Sequence, residues 1–346
     1  MRRLVLAAIA CLFACGKSAK NPGGGVDGNV PMDAPPLSGD KYELTWGPID
    51  VAPGVEDTQC IWLRLPNAGQ LKIHQLHNML GPTSHHMIVY KDDMDTTEQT
   101  TPMDCQPFTG ALNTSGMIAP IVITQKKDDE ITLPDGVAYT FDANQMIKLE
   151  LHYINSSDNA SQAEATVDFY AADPSTIQNE ASILFTGSPD IDIKPGQTLT
   201  VHEFFTVPSY LDLSQSNIFA ITGHEHHLGT GVEVNVAPSP TGTMTPVYNP
   251  DPFVWSEPET EGHDPAFSVP TGGGFDFTCT WDNTMGTTEV KFGESANDEM
   301  CFFWAYYYPS QGSRVCVHTD QFGGAAGYDA CCPGDPTVCS LIAQNF

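Results

Sequence analysis

Apolar and polar residues alternate in short runs along most of the chain, and the runs are separated by turn-forming residues. Cys60-Ile-Trp-Leu-Arg-Leu65, His86-Met-Ile-Val-Tyr90, Met146-Ile-Lys-Leu-Glu-Leu-His-Tyr153, Ala165-Thr-Val-Asp-Phe-Tyr170 and Gly231-Val-Glu-Val-Asn-Val236 are clear examples. Several of them repeat with period two, as half-buried strands do. No long segment keeps a 3.6-residue period. The pattern predicts an all-β fold of antiparallel β-sandwiches. Residues 171–179, with Asp-Pro-Ser, are the expected boundary between two domains. Residues 238–274 are expected to hold long surface loops.

The N-terminus departs from this pattern. Met1-Arg2-Arg3 is followed by an unbroken apolar run over residues 4–14, too short to span a bilayer but suited to a signal-peptide core. It ends in Leu12-Phe13-Ala14-Cys15, which resembles a bacterial lipobox, although Phe13 is bulkier than that pattern's usual residue. The resemblance implies a lipidated Cys15 and a mature chain anchored to the outer membrane or cell surface. An ordinary secretory signal cleaved nearby is the alternative. Gly, Pro, Ser, Asn and Asp then dominate a flexible tether over residues 15–40. The expected organisation is a signal peptide over 1–14, the tether, one domain over 41–174 and a second over 175–346.

Composition narrows the function. The 346 residues suffice for two domains with cores of their own. With 14 Lys and Arg against 43 Asp and Glu, the net charge of −29 excludes a phosphate-backbone binder, so no nucleic-acid partner is expected. Removing Arg2 and Arg3 with the signal makes the mature chain more acidic still, which suits a soluble domain held at a surface. Of ten cysteines, Cys11 leaves with the signal and Cys15 takes lipid. The even remainder, in an exported chain, predicts disulfides. Zinc would require paired CxxC knuckles, and there are none.

Three groups stand out among 11 histidines. His85-His86 follows Gly81-Pro-Thr-Ser and precedes an apolar strand. As neighbours they can share a metal only at a strand end or a distortion, and Pro82 lies close by. His152 takes the polar face of its strand with Lys148 and Glu150, opposite Ile147, Leu149 and Leu151. In His224-Glu225-His226-His227, positions i and i+2 of a strand share a face, so His224 and His226 could grip one metal while Glu225 points away. His74, His77, His202, His263 and His318 read as ordinary. Met300 shares a strand face with Phe302, Trp304, Tyr306 and Tyr308, and Cys301 lies on the opposite face.

Together these motifs resemble the copper type II, ascorbate-dependent monooxygenases, the family of peptidylglycine α-hydroxylating monooxygenase and dopamine β-monooxygenase. The resemblance rests on Ser84-His-His-Met87, Leu149-Glu-Leu-His-Tyr153, Gly223-His-Glu-His-His-Leu-Gly229 and Asp298-Glu-Met-Cys301, in the family's order. It implies two jelly-roll-like β-sandwich domains, each presenting one copper to a solvent-filled cleft. His85, His86 and His152 would hold an electron-transfer copper. His224, His226 and Met300 would hold the copper that meets O₂. Imidazole suits both copper oxidation states, and a thioether favours Cu(I). His227 matches the motif without being a ligand. The resemblance also implies the disulfides Cys60–Cys105 and Cys279–Cys301, and ascorbate or another reductant as electron donor.

The departures concern substrate. The peptide-hydroxylating branch has an Arg where Thr222 stands here, and an Asn and a Tyr in place of Phe302 and Trp304. A peptide carboxylate loses its charge-assisted partner, so a small apolar or aromatic substrate is expected against the Phe302 and Trp304 face, the alternative being that these rings simply pack under a loop. Cys316, Cys331, Cys332 and Cys339 have no family counterpart. Two crossing bridges are expected among them, because vicinal cysteines bond each other poorly. The leading function is a copper monooxygenase acting on a small molecule. The rivals are a non-catalytic copper-binding protein of the cell surface and a β-sandwich adhesion or carbohydrate-binding module.

Overall fold

The computed structural model describes residues 38–105, 116–321 and 327–345. The expected signal, Cys15 and nearly all of the tether lie outside the described residues. The fold is all-β, and the predicted strands are present. Those around Ile61, Val89, Leu149, Val167 and Val234 run as Glu56–Arg64, Ser84–Asp92, Met146–Ile154, Ser161–Ala171 and Gly229–Ala237.

The N-terminal half stacks two sheets. One contains Asp40–Val51, Ser161–Ala171, Leu71–Leu80 and Val137–Phe141. The other is ordered Gln99–Asp104, Glu56–Arg64, Met146–Ile154, Ser84–Asp92 and Ile118–Thr124. A 3₁₀ turn at Pro174–Thr176, capped by the Asp173 side chain, leads into the C-terminal half. There a six-stranded sheet has Asn217–His224, Cys301–Tyr308 and Ser182–Ser188 at its centre. It is accompanied by a four-stranded sheet of Thr198–Thr206, Gly274–Asp282, Gly229–Ala237 and Thr245–Tyr248. Pairing is mostly antiparallel, but Ser182–Ser188 runs parallel to Arg314–Thr319.

Cys301–Tyr308 explains how the halves are joined. Its odd residues Cys301, Phe303, Ala305 and Tyr307 pack in the core of the C-terminal sandwich. Its even residues Phe302, Trp304 and Tyr306 pack in the other core, with Leu149, Leu151 and Ile123 of the N-terminal half. A strand buried on both faces carries an unbroken apolar run, as Cys-Phe-Phe-Trp-Ala-Tyr-Tyr-Tyr does. The aromatic face read from the sequence is therefore a packing surface between the halves.

Two expectations are corrected. Residues 238–274 hold two strands, Thr245–Tyr248 and Thr260–Phe267, as well as loops. Each lies at a sheet edge, where prolines such as Pro246 and Pro265 are tolerated. The prolines are what made the segment read as loop. The C-terminal bridges also do not cross: Cys316 pairs with Cys331 and Cys332 with Cys339. Cys316 and Cys331 are register partners on adjacent strands, and Cys339 comes from a short helix, Pro336–Asn345, that period analysis did not find. The bridges Cys60–Cys105 and Cys279–Cys301 are present as expected.

Candidate metal centre

The three histidines of the N-terminal half meet at one end of its second sheet. Ser84–Asp92 pairs with Met146–Ile154, with His86 opposite His152, and the register slips between Ser84 and His86. That bulge leaves His85 unpaired and re-aims it, which resolves the problem of adjacent side chains on opposite faces. Ring centroids are 5.5 Å apart for His85–His86, 5.4 Å for His85–His152 and 4.9 Å for His86–His152. One ring nitrogen from each lies within 4.8 Å of the others.

The nitrogens themselves test the fit to a metal. His152 donates from Nε2 to Glu56 Oε1 (3.0 Å), which leaves Nδ1 as its lone pair. His152 Nδ1, His86 Nδ1 and His85 Nε2 are all buried without a hydrogen-bond partner. Three orphaned nitrogens in one place are costly unless something electrophilic satisfies them, and a metal ion would do so. Burial holds the His85 ring down at about 3 and His86 well below its ordinary value, so both remain neutral donors at neutral pH.

The second set is built differently from the strand-period expectation. Asn217–His224 ends at His224, and His226 lies in the following turn. Their rings nevertheless lie 5.0 Å apart. The strand positions His224, and hydrogen bonds fix both rings. His224 donates from Nδ1 to Gln125 Oε1 (2.9 Å), and His226 donates from Nδ1 to the Asp298 carbonyl (3.0 Å). Each therefore offers Nε2 as the remaining donor nitrogen. Buried Glu299 accepts from the backbone N–H of His226 (2.8 Å) and from Trp281 Nε1 (2.9 Å). Glu225 points away and accepts from the backbone of Gly231 (3.1 Å) and Thr280 (2.9 Å). Gly229 makes room for it, since a Cβ there would lie 2.4 Å from Glu225 Cβ. Burial keeps His224 well below its ordinary pKa and holds His226 at about 4. His227 turns outward to the Ala296 carbonyl.

The two sets adjoin. His86 and His224 rings are 6.5 Å apart, and His86, His224, His226, Met300, Trp304 and Phe185 line one cavity of about 50 Å³. That is room for a few waters, not the solvent-filled cleft that the family resemblance implies. The aromatic core shared by the halves draws the sets together. Trp304 reaches the cavity. Phe302 instead stacks on Phe185 (4.8 Å, 19°) and does not line it. Thr222 does not line it either, and its hydroxyl meets that of Thr260 (2.8 Å). Sequence reasoning missed Gln125, Glu56 and Trp255, whose ring lies 5.9 Å from His85. Nothing local in their surroundings marks them.

Residues 179–322 match the family described as copper type II ascorbate-dependent monooxygenase, C-terminal domain, a span that includes His224, His226 and Met300. No curated protein sequence matches the chain. Among solved structures, the major capsid protein P2 of bacteriophage PM2 is 9% identical, with 79% of this chain and 100% of that chain covered and a TM-score of 0.35. The tandem CBM22 domain of Paenibacillus barcinonensis Xyn10C is 10% identical, with 80% and 93% covered and a TM-score of 0.16. Both superpositions are too loose to compare sites. Similarity to the copper type II ascorbate-dependent monooxygenases is therefore shown for residues 179–322, as a match to that family's C-terminal domain.

Proposed function

We propose that the protein is a copper-dependent monooxygenase that hydroxylates a C–H bond of a small apolar or aromatic substrate, using O₂ and an external reductant such as ascorbate. The observation that carries this reading is the meeting of a three-histidine set and a two-histidine–methionine set across one cavity. Bound there, copper would supply O₂ activation and electron transfer. One oxygen atom enters the C–OH product and the other leaves as water, with two electrons from the reductant and two protons. The chain's share is to keep the imidazoles neutral, fix their tautomers through Glu56, Gln125 and the Asp298 carbonyl, and restrict water.

The cavity walls support the substrate class. Ile88, Ile123, Phe185 and Trp304 supply apolar surface, and among the described residues no Lys or Arg lines the cavity, whereas Glu150 and Glu294 do. A substrate carboxylate finds no cationic partner there. Because the cavity is only about 50 Å³, a substrate must displace its waters and part the walls. We further propose that the protein is exported and held by lipid at Cys15. Four disulfides accord with an oxidising compartment. No helix among the described residues is long and apolar enough to cross a membrane.

The test is to load the protein with copper, add reductant, and measure O₂ consumption coupled to product over aromatic substrates and a glycine-extended peptide. Coupled turnover of an aromatic substrate, abolished by Met300→Ala, is expected. Robust hydroxylation of the peptide contradicts the substrate class. Two bound coppers without coupled turnover favour a copper-binding protein, and failure to bind two coppers sinks both readings.

A further inference from the structure

Glu56 begins the strand Glu56–Arg64, which pairs with the His152 strand so that Thr58 faces His152. Glu56 thus reaches His152 along the diagonal. Its Oε1 accepts from His152 Nε2 (3.0 Å), the Ala296 backbone N–H (2.8 Å) and Ser295 Oγ (3.2 Å), and Oε2 accepts from Asn297 Nδ2 (3.2 Å). One carboxylate therefore holds a ring of the first set and three consecutive residues of the other half. Those residues run directly into Asp298, whose carbonyl orients His226, and into Met300.

We propose that Glu56 is a positioning residue shared by both donor sets. It holds the proton of His152 on Nε2, which leaves the buried, unpartnered Nδ1 as the ring's lone-pair nitrogen. With the same carboxylate it pins the segment that delivers the Asp298 carbonyl and Met300 to the second set. A carboxylate behind a ligating histidine is a common support of metal sites. Here the support spans the two halves, so the geometry of one set is tied to that of the other. The identity of the metal rests on the copper reading above, but the hydrogen bonds do not.

The experiment uses the full chain with Glu56→Ala and Glu56→Gln. In the metal-free protein, ¹⁵N-detected imidazole shifts are expected to show His152 protonated at Nε2, with that preference lost in Glu56→Ala. Hydrogen exchange at the Ala296 amide is expected to quicken at least tenfold. Cu(I) titration against a competing chelator is expected to show affinity falling by ~10–100-fold at the first set. In a His86→Ala background, which keeps only the second set, a fall of at least fivefold is expected. Glu56→Gln, which retains one acceptor oxygen, should recover most of both. An unchanged His152 tautomer and Ala296 exchange rate in Glu56→Ala overturn the proposal. So does a loss confined to the first set. A wild-type protein that takes up no copper counts against the copper reading alone, and the metal-free measurements still decide the role of Glu56.

Discussion

Nδ1 of His224 donates to Oε1 of Gln125 across 2.9 Å, so a residue of the N-terminal half sets the tautomer of a ring in the C-terminal half. Gln125 follows the strand Ile118–Thr124, and its own amide nitrogen is buried without a partner. Gln125→Leu should leave the His224 N–H unpaired, at a cost of about 1–3 kcal/mol in stability. Copper affinity of the second set should fall by ~10–100-fold. Gln125→Glu offers the same acceptor and sacrifices no existing bond, so it should keep that affinity. Chelator-competition titrations check both variants, and equal affinities for wild type and Gln125→Leu would show that the bond does not organise the site.

The 6.5 Å separation of the His86 and His224 rings has a spectroscopic consequence. With Cu(II) in both sets, the two spins should couple, giving a broadened resonance and a half-field signal. His224→Ala should bind half the copper and give a simple mononuclear spectrum. Two independent, unbroadened signals from the loaded wild type would mean that the halves part in solution to form a wide cleft.

The strand pattern carried much of this arrangement and missed a definable part of it. Alternation placed Met300 with Phe302, Trp304 and Tyr306 and set Cys301 opposite, where it meets Cys279. Side-chain period is a local property, so sequence reports it. Whether a face meets solvent or another sheet is not local, and the aromatic face expected to greet substrate is mostly core. The bulge at His85 is a register choice between strands far apart in the chain. Gln125 lies 99 positions from His224, and Glu56 lies 240 from Ala296. No pattern within a window of residues can mark such pairs.

The Cys279–Cys301 bridge closes a 22-residue separation at the first residue of the strand that follows Met300. Chain-entropy arguments assign a loop of this size about 3 kcal/mol. The double variant Cys279→Ala, Cys301→Ala should lose roughly that much in denaturant unfolding. It should also weaken copper at the second set more than at the first, because Cys301 and Met300 are adjacent. Equal weakening of both sets would assign the bridge a purely global role.

His318 provides a pH dependence remote from both donor sets. Its ring is almost fully buried, with Nδ1 2.7 Å from Asp329 Oδ1, and Nε2 3.1 Å from Glu203 Oε2 and 3.6 Å from Asp320 Oδ1. Burial alone would lower its pKa, but the bonds to Asp329 and Glu203 outweigh burial and hold it at about 10. A folded-state pKa above the unfolded value near 6.5 means that the stabilisation is complete below about pH 6.5. It declines as pH rises and is lost through pH 10. His318→Gln should therefore cost about 3 kcal/mol at pH 6, where it strands the paired carboxylates. The difference from wild type should shrink steadily in unfolding titrations at pH 8 and pH 10. A gap that stays constant from pH 6 to pH 10 would show that the ring packs there without its charge.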